Sequence, residues 1–148
     1  MQDKFLGIDY GTKRIGLAVS SPLGTVHPRT RLDRQTLEKD LEKDLQFLAD
    51  LADEEQVAGI VIGLPHHMDG KISDMERAAR EFAAKLAALS GLPVFGSDER
   101  LTSQEADRIL ATSMRDPRAR KGRIDSAAAC ILLQDFLSAE TDTQERIA

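Results

Sequence analysis

Residues 5–19 read FLGIDYGTKRIGLAV, two apolar runs joined by a short polar turn, and this segment commits the chain to a sheet. Phe5, Leu6 and Ile8 lead into the turn, and Ile15, Leu17, Ala18 and Val19 leave it, as two buried strands do. Gly11, Thr12, Lys13 and Arg14 reverse the chain between them. The hairpin carries one anomaly, Asp9. A carboxylate among core strand residues is costly to bury unless it meets a cation, a metal or a hydrogen-bond donor. Asp9 is therefore either a satisfied structural acid capping a turn or one ligand of a site completed by later segments.

The later elements decide what kind of sheet this is. Ser21-Pro22-Leu23-Gly24 is a turn, and Thr25 to Leu32 reads as a third strand, with Pro28 marking it as an edge or an irregular strand. Leu37, Leu41, Leu45 and Leu48 recur at helical spacing and predict an amphipathic helix over 36–54. Val57 to Ile62 is a short apolar run ending at Gly63, a strand. Ser73-Asp74-Met75-Glu76 has the spacing of a capping box, and Met75, Ala79, Phe82, Leu86 and Leu89 come after it as an apolar face closed by Gly91. Pro93 to Ser97 is another strand. Thr102-Ser103-Gln104-Glu105 is a second capping box, opening a helix to about Ala111, and a last helix is predicted over 125–137. The tail from Ser138 is polar and is expected to fray.

Three hairpin-linked strands and then strand–helix alternation imply an α/β fold: a five-stranded mixed sheet, antiparallel then parallel, with helices on both faces. At 148 residues, 41% hydrophobic and 30% charged, the chain suits one globular domain over 1–138, with 139–148 as a tail. Asp3 and Lys4 interrupt the start, which does not read as a signal peptide, and no apolar run is long enough to span a bilayer. The single Cys130, set in AAACILL, rules out an intrachain disulfide and a cysteine-rich zinc site, suits a reducing cytoplasm and reads as a buried, inert thiol.

The net charge of −5 argues against a protein that coats nucleic acid non-specifically. One stretch departs from that average. Arg115, Arg118, Arg120, Lys121 and Arg123 face only Asp116 in what reads as a loop, and a local basic loop on an acidic body can contact phosphates or simply be solvated.

Three acids stand where a sheet of this order brings chain segments together. Asp9 is near the end of the first strand, Glu99 just past the end of the last, and Asp125 at the start of the last helix. Right-handed crossovers return the parallel strands beside the first. Their carboxyl ends then share one edge, the usual place for an active site in open α/β sheets. Clustered carboxylates repel one another. A divalent cation relieves that repulsion, and Mg²⁺ in particular takes a few carboxylate oxygens, several waters and substrate phosphate. Two such ions can promote hydrolysis of a phosphodiester.

Four blocks of the sequence, LGIDYGTKRIGLAVS, VIGLPHHMDG, SDERLTS and KGRIDSAAACILLQDFL, resemble in order the motifs of the YqgF/RuvX family. That family belongs to the RNase H-like superfamily, alongside the resolvase RuvC. The resemblance implies an RNase H-like fold, Asp9, Glu99 and Asp125 as metal-binding catalytic acids, and Mg²⁺ or Mn²⁺ as cofactor. Members are described as Holliday junction resolvases or as nucleases maturing the 5′ end of pre-16S rRNA. The implied partner is therefore branched DNA or precursor rRNA, and symmetric cutting of a junction would call for a homodimer. Asp98 and Glu99 alternate to opposite faces of a strand, and the motif match selects Glu99. Two positions depart from the pattern. His66 and His67 replace a Leu/Asn-like pair, and Ala128 stands where RuvC-like sites carry a further acid, leaving a three-carboxylate site.

Lys13 and Arg14 in the first turn and Arg100 beside Glu99 are further candidates for backbone phosphate, with the basic residues 115–123. His66 and His67 are neighbours in a loop and point apart, so a substrate-contacting or solvated loop suits them better than a shared metal. With no Trp and only Tyr10 among tyrosines, recognition rests on backbone and shape. Two other classes fit parts of the chain. DYGT resembles the phosphate-holding hairpin of sugar-kinase and actin-like ATPases, which need two such domains. A non-catalytic nucleic-acid-binding module would have no use for the three acids.

Overall fold

The computed structural model describes residues 3–11, 14–33, 41–64, 73–98, 117–138 and 145–148, and of 30, 31, 33, 98, 117–127 and 145 the backbone alone. The hairpin forms as its pattern dictates: β1 (Phe5–Asp9) pairs antiparallel with β2 (Arg14–Ser20), setting Ile8 opposite Leu17 and Asp9 opposite Gly16. Glycine is required at the turn, since a methyl group on Gly11 would lie 2.5 Å from the Arg14 carbonyl oxygen. β3 (Val26–Asp33) pairs with β2 and ends the sheet, with Pro28 on this edge and a register shift between Ile15 and Leu17.

Helix α1 (Leu41–Glu54) buries Leu45, Leu48, Ala49, Leu51 and Ala52, and Leu37 lies outside the described residues. It ends without glycine. Gln56 takes the left-handed conformation at φ 53 while the Val57 N–H donates to the Ala52 carbonyl at 3.1 Å. A side chain at such a position is disfavoured. Gln56→Gly should therefore raise stability by about 0.5–1 kcal/mol in chemical denaturation.

β4 (Gly59–Leu64) lies parallel to β1, and β5 (Val94–Asp98) parallel to β4. Between them runs α2 (Asp74–Ser90), whose start and stop obey the predicted signals. The Glu76 N–H donates to Ser73 Oγ at 3.0 Å, and Gly91 takes the left-handed C-cap at φ 73. Its buried face is Glu76, Ala79, Phe82, Ala83 and Leu86. Leu89, expected on that face, is exposed, and Glu76 is buried with Arg80 Nε 3.1 Å from its carboxylate.

The last helix begins earlier than predicted. α3 spans Pro117–Ser138, so the basic stretch expected as a loop is helical from Pro117 on, and Asp125 lies eight residues after its first residue rather than at its start. Local preference permits this, since proline is well tolerated at a first helical position, and Arg and Lys are good helix formers. The predicted helix over 102–111 and the pair His66 and His67 lie outside the described residues.

The five strands form the expected mixed sheet, in the order β3-β2-β1-β4-β5, and a short β6 (Glu145–Arg146) extends it beyond β5. The chain end expected to fray thus pairs antiparallel with β5, Phe95 opposite Arg146, and the Ile147 N–H donates to the Val94 carbonyl at 2.8 Å. It does so because β5 otherwise presents open backbone groups. Leu6, Ile8, Ile15, Leu17, Ile60 and Ile62 pack against α1 and α2 on one face. Ala18, Val61, Phe5 and Phe95 pack against Ala129, Leu132, Leu133 and Phe136 of α3 on the other. No helix among the described residues is long and apolar enough to cross a membrane.

Candidate active site at the carboxyl edge of the sheet

Strand direction brings the ends of β1, β4 and β5 to one edge. Ile8 is level with Ile62, and Ile62 with Gly96, so Asp9, Gly63 and Ser97 occupy the next position on three adjacent strands. Alternation then decides the face. Leu6 and Ile8 turn toward α1 and α2, and Phe5 toward α3, which leaves Asp9 on the α3 face, half-buried at the strand end. Phe95 faces α3 as well, so Ser97 shares the face of Asp9.

The helix reaches this place because of one residue. Phe136 stacks edge-on against Phe5 at 5.3 Å between centroids, while Gly7 lies under Ala129 and Leu133. A methyl group on Gly7 would sit 3.1 Å from Leu133 Cβ and 3.2 Å from the Ala129 carbonyl oxygen. The helix therefore runs antiparallel to β1 in near contact with its backbone. Passing from Phe5 to Gly7 to Asp9 moves from Phe136 through Leu133 to Ala129 and onward. Asp125 is the residue one turn before Ala129 on the same line of the helix.

The structure thus brings Asp9 and the Asp125 position of α3 to one edge and one face. Glu99 comes one residue after β5, and it lies outside the described residues with Lys13, Arg100 and Arg115. Among the described residues, no three His, Cys, Asp or Glu side chains gather at one point, and Asp9 is the one member of the acid set whose side chain is described. An all-carboxylate donor set on strand end and helix suits a hard divalent cation, which takes oxygen ligands.

The cationic candidates divide by element. Arg14 opens β2 on the face of Ala18, the α3 face, two positions beyond Gly16 toward the edge. Arg118, Arg120, Lys121 and Arg123 occupy the first turns of α3, ahead of Asp125. Lys121 and Arg118 precede Asp125 by one and two turns on the same line of the helix, and Arg120 and Arg123 fall on other lines. Gly7 and Tyr10 escaped the reading of the sequence as contributors to this edge. The signal for Gly7 was present, since a glycine inside an apolar strand marks a close approach of another backbone.

Cys130 stands apart from this edge, packed against the α3 core cluster, and burial raises its thiol from 9.0 to about 11. The folded chain thus holds this proton more tightly than the unfolded one. The stabilisation is complete below pH 9 and is lost as pH rises to about 11. Cys130→Ala should flatten the alkaline fall in stability across that window, as measured by urea denaturation at stepped pH.

A family model described as "RuvX: Holliday junction resolvase" matches residues 3–139. Among curated relatives, a protein of Synechococcus elongatus is 38% identical over 138 residues, covering 93% of this chain and 90% of that protein. One of Koribacter versatilis is 42% identical over 135 residues, covering 90% and 86%. Both carry the name "Putative pre-16S rRNA nuclease". Among solved structures, T. thermophilus RuvC in complex with a Holliday junction substrate superposes with a TM-score of 0.66 at 13% identity, covering 98% of this chain and 99% of that one. That likeness establishes the fold.

Proposed function

The chain belongs to the RuvX family of nucleases, and from this we propose that it is a divalent-metal-dependent endonuclease cutting structured nucleic acid at the carboxyl edge of its sheet. The observation that supports this most is the shared edge and face of Asp9 and the Asp125 position, made by strand alternation and by the close passage of α3 over Gly7. Glu99, one residue after β5, completes the acid set in this reading because it stands in the motif SDERLTS. Asp9, Glu99 and Asp125 would hold Mg²⁺ or Mn²⁺. When bound, the cation neutralises phosphate charge and lowers the pKa of the attacking water.

The rest is the work of the chain's own residues. Asp9, fixed by its strand, sets the position of the site against the sheet, and the α3 acid closes it from the other side. Lys13 and Arg14 at the first turn, Arg100 beside Glu99, and Arg115, Arg118, Arg120, Lys121 and Arg123 around the start of α3 bind the phosphates flanking the scissile bond. Such contacts position a backbone without reading bases, in keeping with a chain poor in aromatic residues. The names of the relatives favour pre-16S rRNA as substrate. The family description favours a Holliday junction, and that reading includes a homodimer, since symmetric cutting needs two sites. A cytoplasmic location belongs to the same proposal and is supported by the single cysteine.

Purified protein with Mg²⁺ or Mn²⁺, given a four-way DNA junction and a precursor 16S rRNA fragment side by side, tests the function. Cleavage of either, stopped by a chelator and restored by metal, is expected. Binding of both substrates with cleavage of neither would replace the enzyme with a binding module.

A further inference from the structure

We infer that Tyr10 is the positioning residue of this site: its ring, seated on Phe82 of α2, fixes the face from which the Asp9 carboxylate is presented. The inference rests on the metal-site reading above and goes beyond it by assigning the element that holds the first ligand. Asp9 is the last residue of its strand. Pairing of β1 with β4 runs only to Ile8 and Ile62, whereas pairing with β2 continues to Asp9 and Gly16.

The next residue along the chain is anchored on the opposite face. Leu6, Ile8 and Tyr10 fall on the α1/α2 face, and Tyr10 packs against the core cluster there. Its ring centroid is 4.9 Å from that of Phe82, the planes inclined by 48°. Phe82 is itself 2% exposed, so the ring docks on a fixed wall. One residue further, Gly11 begins the turn in which a methyl group would strike the Arg14 carbonyl. Tyr10 is therefore pinned from its ring and from its chain. Because successive side chains point to opposite faces, holding Tyr10 toward α2 holds Asp9 toward α3. Tyr10 lies on the far face of the sheet from the reacting atoms and acts only through Asp9.

The test uses the full chain and reads metal binding as well as cleavage. In Tyr10→Ala, Mn²⁺ affinity by calorimetry should fall about 10- to 100-fold, the range for losing a residue that orients a ligand. The Mn²⁺ needed for half-maximal cleavage should rise in parallel. Tyr10→Phe keeps the ring and should bind Mn²⁺ like the parent. Phe82→Leu, which keeps apolar bulk but removes the ring pair, should reproduce the Tyr10→Ala defect, and it carries the test should Tyr10→Ala fail to fold. Parental Mn²⁺ affinity in folded Tyr10→Ala or Phe82→Leu overturns the inference, as does an equal loss in Tyr10→Phe. Asp9→Asn, run beside them, separates the two levels. If it keeps Mn²⁺ binding, the metal site itself is misplaced; if it alone loses binding, only the role of Tyr10 falls.

Discussion

Asp9→Asn should abolish metal-dependent cleavage, a loss of about a thousandfold or more, while leaving the protein folded and at least as stable without metal. The size comes from the proposed role: one carboxylate of a charge-neutralising set would be removed from the place where phosphate charge must be compensated. The sign of the stability change comes from the same chemistry. Three acids gathered as proposed would repel one another, so replacing one by a neutral isostere would relieve repulsion in the metal-free protein. Parallel measurements of cleavage rate and of thermal unfolding in a chelating buffer check both halves. A buried structural acid would behave in the opposite way, since Asn in its place would leave its partner unsatisfied and lower the melting temperature. The two roles that the hairpin alone allows Asp9 are thereby separated by one substitution.

Gly7→Val is the second large effect, and it acts through α3. The added side chain has no room, because even its first carbon would meet Leu133 Cβ at 3.1 Å and the Ala129 carbonyl oxygen at 3.2 Å. One of these is backbone and cannot rotate away, so the helix must lift from β1. Overpacking of this kind costs roughly 1–3 kcal/mol. Lifting α3 also carries the Asp125 position away from Asp9, one turn along the same helix. Cleavage should therefore fall further than the unfolded fraction explains, when measured well below the melting temperature. Gly7→Ala should show the same two effects in smaller measure. A Gly7→Val protein with parental stability would mean that α3 does not approach β1 as described.

Much of this architecture was legible in the sequence because its signals are local. The hairpin is written in FLGIDYGTKRIGLAV, the edge position of β3 in Pro28, and both ends of α2 in Ser73 and Gly91. Each rests on a backbone preference that acts within a few residues. The misreadings have a common origin in tertiary context. The basic run after Arg115 reads as a loop from its charge and Pro117, yet from Pro117 its backbone continues the helix whose later turns are anchored on Gly7 and Phe5. The polar chain end looked free to fray, but β5 offered an open edge, and Ile147 fills the space beside Gly96. Leu89 sits at the right spacing for the buried face of α2 but near its end, where the helix runs past its cover.

The candidate site was legible to a different degree. That Asp9 needs a partner is implied by its place in an apolar strand. The proposed pairing with the α3 acid depends on which face Asp9 takes, and that face is set by the parity of the strand. Leu6 and Ile8 going to α1 and α2 send Asp9 to α3. The closeness of α3 depends on Gly7, whose missing side chain gives no positive signal in a hydrophobic pattern. Tyr10 was visible only as a scarce aromatic residue, because its use as an anchor requires Phe82, which lies far along the chain.

The convergence of Asp9, Glu99 and Asp125 on one cation is tested most directly by a crystal soaked in Mn²⁺ and measured for anomalous scattering. The expected result is a peak between the end of β1, the residue after β5 and the third turn of α3. Carboxylate oxygens of all three acids should lie about 2.1 Å from it, near the distance of Mg²⁺ to its oxygen ligands and shorter than that of Ca²⁺. Mn²⁺ bound elsewhere in a crystal whose protein cleaves its substrate only with Mn²⁺ would contradict the assignment.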